Sequence, residues 1–183
     1  MRFHDNTTSA TEVAKGLFEY VGSTDPSLDR LTRQCLELNG VDEVQFSEEV
    51  HYLRAFVVYY STWRILGESA QGRALRAAFM GLWDSAAKTS SAHMHRYNEF
   101  FRRLQAYVDA MHTGDAAQPS AGAAQVAKKF AELLGAEGEA VSRPACEAAG
   151  SAWFASTCDA VEEALRGMIS RSIAASARSR LLH

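Results

Sequence analysis

Strand signals are absent from this chain: no stretch alternates apolar and polar residues, no hairpin dipeptide separates two such stretches, and no strand–helix–strand rhythm appears. These absences exclude β and α/β architectures. There is no internal repeat, which disfavours a solenoid. The phosphate-binding patterns Gly-x-x-x-x-Gly-Lys-Ser/Thr and strand-Gly-x-Gly-x-x-Gly are also missing, which disfavours nucleotide chemistry. No apolar run is long enough to span a bilayer, and the opening Met1-Arg2-Phe3-His4-Asp5 has no apolar signal core, so neither membrane insertion nor signal-peptide secretion is expected. Cysteine is scarce, with only Cys35, Cys146 and Cys158 and no Cys-x-x-Cys pair, a pattern that fits a reducing, cytoplasmic compartment. Cys146 and Cys158 are too far apart along one helix, about 18 Å, to pair.

A basic excess is lacking as well. The formal net charge is -3, so nothing draws the chain as a whole toward phosphate backbones, and no nucleic-acid partner is favoured. The charge is uneven: residues 1–50 hold four Lys/Arg against ten Asp/Glu, whereas 166–183 hold four Arg and no acid. Acids favour helix starts and bases favour helix ends, which accounts for the gradient without a docking patch. Arg96, Arg102 and Arg103 fall on one helix and are expected to form a solvated face.

What is present is helical punctuation. Ser9-Ala-Thr-Glu12 has capping-box spacing and opens a helix to Val21, before Gly22. Asp25-Pro26 places an N-cap before a first-turn proline, and Asn39-Gly40 supplies a stop, predicting a helix over 26–38. Ser47, followed by Glu48 and Glu49, opens a third to Leu66. Further helices are predicted over 70–88 and 91–111. Residues 113–122, small and polar with Gly and Pro, form the expected mobile loop or linker. A sixth helix ends near Gly135, and Ser142-Arg-Pro144 can open a seventh. The last helix is long, with Trp153, Thr157, Ala160, Ala164 and Met168 on one side and a bend expected at Gly150. The fold expected is therefore all-α, a single-domain bundle of about six or seven helices with a long C-terminal helix.

Two-thirds of the aromatic side chains lie between Phe46 and Tyr107. The run from Tyr52 to Trp63 is apolar on almost every side, so its helix needs partners on two faces. Two polar residues are discordant. Arg64 projects into the Val50/Leu53/Val57/Tyr60 stripe, and His93 falls on the apolar arc of its helix. Any pocket is expected near them, lined by Tyr59, Tyr60, Trp63 and Trp83 and suited to a small apolar or anionic ligand.

Catalytic signals are thin. Glu48-x-x-His51 has the spacing that places two ligands on adjacent turns of a helix, as in carboxylate-bridged bundles, but the element occurs once where such bundles need it twice. Capping explains Glu48 equally well. His95 and Glu99 share a face expected to point to solvent, and His93 and His95 diverge too far to hold one ion. No cysteine carries a recognisable base. The expectation is a non-catalytic protein with no implied cofactor, binding a protein partner or a second copy of itself through an apolar helix face. The alternatives are a small-molecule sensor with an aromatic pocket near Arg64 and His93, and a metal-dependent enzyme using Glu48 and His51.

Overall fold

In the computed structural model, residues 4–89, 91–113, 119–136 and 142–181 are described, with side chains over 10–38, 40–89, 94–113, 121–136 and 143–174. Among them are seven α-helices and one short 3-10 turn, with no strand: α1 His4–Val21, the turn Pro26–Leu28, α2 Asp29–Asn39, α3 Glu43–Leu66, α4 Ala70–Ala87, α5 Ser91–Thr113, α6 Pro119–Leu133 and α7 Ser142–Leu181. The fold is an all-α bundle with a long C-terminal helix.

Local chemistry sets the boundaries. Asp25 caps as its position demands, accepting from Ser27 N at 3.1 Å, but the turn it opens is 3-10 and the α-helix begins only at Asp29. Gly40 stops α2 in the left-handed conformation, φ 62°, and its N–H returns to the Leu36 carbonyl. Asp42, not Ser47, starts α3, because its carboxylate takes the free amides of Val44 and Gln45 at 3.2 and 3.4 Å. Ser69 caps α4 through Gly72 N. Of the expected loop 113–122, residues 114–118 lie outside the described residues, Thr113 ends α5, and Pro119 to Gly122 form the first turn of α6, where the fixed φ of proline suits a helix start.

Helix α3 runs through the centre and packs on α7, α5, α4 and α1, while α7 also covers α2 and α6, and α1 lies on α4. The core has a lobe on each side of α3. Phe46, Leu53, Phe56 and Val57 meet Tyr107, Phe130 and Trp153 in one. In the other, Tyr52 and Val58 meet Leu17, Phe79, Trp83 and Leu165. Of the expected face of α7, Trp153, Thr157 and Met168 are buried and Ala160 and Ala164 half-buried, and Val161 and Leu165 are buried with them. Gly150 supplies a close approach of α7 to α6: a methyl there would stand 2.8 Å from the Phe130 ring.

The cysteines depart from expectation. Cys35 in α2 and Cys146 in α7, both fully buried and 111 residues apart, form a disulfide, and Cys158 remains a free thiol. Cys146 is thus a covalent tie between α2 and α7, and the inference from cysteine scarcity to a reducing compartment loses its support. Among the described residues no helix is long and apolar enough to cross a membrane.

Candidate functional site

Burial of charge on α3 locates the site, because an ionised side chain deep in a helical core needs a reason to be there. Glu49 and Arg54 are 3% and 1% exposed. Five residues apart, they point about 140° from each other around the helix axis and enter different surroundings.

Glu49 faces α5. The Tyr107 hydroxyl, fully buried, donates to its Oε1 at 2.5 Å, and Arg103 Nε stands 3.0 Å from its Oε2. The Arg103 Nε–H is directed at no acceptor, so this pairing is ionic more than directional. Glu99 joins at 3.2 Å from the same nitrogen. Burial pushes the Glu49 carboxyl above its ordinary range, while the Tyr107 hydroxyl and the Arg103 charge pull it back. Burial also raises the Tyr107 phenol well above its usual value.

Arg54 faces the end of α1 and the start of α2. Its Nη1 donates to the Ser23 carbonyl and its Nη2 to Ser23 Oγ at 3.3 Å, both in the segment that follows α1. The carbon at its centre lies 4.1 Å from the Tyr20 ring centroid and 5.3 Å from that of Trp153, within cation–π range of both. No carboxylate among the described residues approaches it within ion-pair distance, and its Nε, wholly buried, has no hydrogen-bond partner. Burial lowers its pKa, an effect opposed by Tyr20 and by the more distant charge of Asp25. It remains a cation, because guanidinium does not deprotonate in proteins.

This arginine lines a cavity of about 210 Å³. The end of α1 and the following segment contribute Val21 and Gly22 to Asp25; α2 contributes Asp29 and Thr32; α3 contributes Glu43, Phe46, Ser47, Val50 and His51; α7 contributes Trp153. Trp153 Nε1 donates to Thr32 Oγ1 at 3.4 Å across the α2–α7 wall, which the Cys35–Cys146 disulfide also ties. Asp25 receives Ser27 Oγ at 2.6 Å and Ser156 Oγ at 2.9 Å, and the Ser27 bond is the main reason its carboxyl lies below the usual range.

His51 joins this cavity to a smaller one of about 120 Å³ lined by Ser47, Glu48, Tyr52 and Arg96. Its ring packs edge-on to Trp83, centroids 5.1 Å apart. Burial first, then the charges of Arg54 and Arg96, push its pKa down to about 4, so the imidazole is neutral at neutral pH.

Among the described residues, the side chains expected to line a pocket at Arg64 have these surroundings. Arg64 is two residues from the end of α3, its side chain is 45% exposed, and it reaches Glu162 of α7 at 2.5 Å. Trp63 faces solvent, whereas Trp83 is buried and stacked on Phe100 at 4.5 Å. Tyr60 stacks on Phe56, and Tyr59 is half-buried. The His93 side chain lies outside those described. Glu48 is paired with Arg96 at 3.0 Å, and no group of three His, Cys, Asp or Glu side chains among the described residues converges on a metal position. Glu99 does not follow His95 to solvent but turns to Arg103. Cys158, half-buried beside Ser61, has its thiol pushed up by burial, which disfavours the thiolate a nucleophile requires.

The fold and the site thus define an all-α bundle with a buried, uncompensated arginine facing a small cavity. Compared with protein-family models, curated proteins and solved structures, the chain matches none.

Proposed function

We propose that this chain is a non-catalytic binding protein whose cavity at Arg54 takes a small ligand through an anionic group. One observation carries the reading: a guanidinium 1% exposed, with an orphaned Nε and no carboxylate in ion-pair range, stands at the base of a cavity that opens to solvent along Gly22 to Thr24 and Ser47. A carboxylate or similar anion would supply the missing charge, and charge-assisted bonds in such a setting are among the stronger ones. At about 210 Å³ the space falls below the roughly 300–1,000 Å³ of sites for drug-sized molecules, so the ligand is small. The sensor reading therefore moves from Arg64 to Arg54.

Calorimetric titration with 3-methylbutanoate tests this. Saturable binding by the wild type, lost in Arg54→Met, is the expected result; binding that survives the substitution contradicts it.

Self-association keeps separate support in Trp63 and Ile65, which are 53% and 37% exposed near the end of α3. Sedimentation equilibrium of wild type and Trp63→Ser decides it, a monomer in both cases arguing against that reading.

A further inference from the structure

The Arg54 cavity is charged at more than one point. Asp25, Asp29 and Glu43 line the same space as the guanidinium. Asp25 sits two residues beyond Ser23, the residue that Arg54 binds, and the Asp25 and Arg54 charges influence one another without touching. Opposite charges are therefore held near each other in one cavity but left unjoined. Apolar surface lies alongside, from Val21, Phe46, Val50 and the Trp153 ring.

A simple anion uses only part of this. Its carboxylate meets Arg54, but it adds negative charge beside Asp25 and near the solvent-exposed Asp29 and Glu43 at the rim. A simple cation has the opposite fault, facing a buried guanidinium. A ligand with both charges on neighbouring atoms satisfies both sides and brings no net charge into the bundle. Resting on the anion-binding reading above, we infer that the ligand of this cavity is a small zwitterion of α-amino-acid type, its carboxylate on Arg54, its ammonium toward Asp25, and its apolar side chain against Val50 and Trp153. Hydroxyls of Thr24, Thr32 and Ser47 on the same lining accept the remaining ammonium protons.

The test compares three compounds with one branched apolar body, leucine, 3-methylbutanoate and 3-methylbutylamine, titrated calorimetrically into the full chain with its disulfide intact. Leucine is expected to bind at least about tenfold more tightly than either single-charge analogue, the worth of one charge-assisted bond. Asp25→Asn keeps the cap that Asn also provides, and it is expected to narrow the leucine preference from both sides, weakening leucine and, by removing a repelling charge, tightening 3-methylbutanoate. If 3-methylbutanoate equals or exceeds leucine, the zwitterion inference is overturned and the anion site stands. The same holds if Asp25→Asn leaves the preference intact. If 3-methylbutylamine binds best, or if no compound binds in an Arg54-dependent way, both readings fall.

Discussion

Glu49 and Arg54 are two buried charges on one helix, and only one of them is compensated from within the bundle. Glu49 has a counter-charge in Arg103 and a hydroxyl donor in Tyr107, both from α5. Arg54 has carbonyl and aromatic partners but no carboxylate in contact, and its surroundings include empty space. A buried charge with a full set of partners joins two helices and needs nothing more. One that lacks its counter-charge and borders a cavity is where an external group lowers the free energy most.

The largest expected effect concerns the wall of the Arg54 side. Reducing Cys35–Cys146, which closes a separation of 111 residues, should cost about 4 kcal/mol, read as a lower denaturation midpoint with reductant in urea melts. Because this tie joins α2 to α7, where Thr32 and Trp153 line the cavity, ligand affinity should fall with it. Unchanged affinity after reduction would separate the wall from the site.

Next comes the compensated charge. Glu49→Ala leaves the Arg103 cation and the Tyr107 hydroxyl without their carboxylate and should destabilise the fold by about 3 kcal/mol. A loss below about 1 kcal/mol, the scale of a surface pair, would show that the cluster is not the joint described.

Acid titration sharpens the contrast because two neighbours on α3 respond with opposite sign. The folded-state pKa of His51, about 4, is below the ordinary 6.5, so its contribution is present above about pH 6.5 and is lost as pH falls toward 4, up to about 3 kcal/mol. Glu49 has a raised folded-state pKa, so its term is fully present below the ordinary carboxyl value and is lost as pH rises through the folded value. Replacing His51 by Phe should flatten the melting midpoint between pH 4 and 6.5. If the slope persists, another group controls it.

The smallest expected effect on stability belongs to Arg54→Met, about 1 kcal/mol in the unliganded protein, because Ser23 is exposed and water can replace the lost donors. Set against complete loss of anion binding, that small cost would mark Arg54 as a ligand residue. A cost near that of Glu49→Ala would mark it as structural.

The helical framework was legible because caps, glycine stops and apolar periodicity are local signals. Asp25-Pro26, Asn39-Gly40 and the stripe of α7 were readable for that reason. The start of α3 falls at Asp42 rather than Ser47 because both are competent caps, and local sequence does not rank them. Of the candidate site, His51 and the importance of α3 are legible in the sequence, whereas Arg64 draws attention away from Arg54. Arg64 projects into the apolar stripe, yet near a helix end a long side chain reaches out to Glu162. Arg54 sits in the middle of the run that is apolar on almost every side, with no end of its own helix within reach, and that is a signal the sequence carries. The disulfide is not legible there, since spacing along the chain carries no register between α2 and α7.

The most direct test of the account is the Arg54 Nε–H resonance, followed by nitrogen-edited NMR as 3-methylbutanoate is added and assigned by its absence in Arg54→Met. The account predicts a saturable shift of that resonance with the same midpoint as calorimetric binding, because an anion seated beside the guanidinium changes the electrostatic field at this buried donor. A resonance that stays fixed while the anion binds elsewhere, or that drifts linearly without saturating, would contradict it.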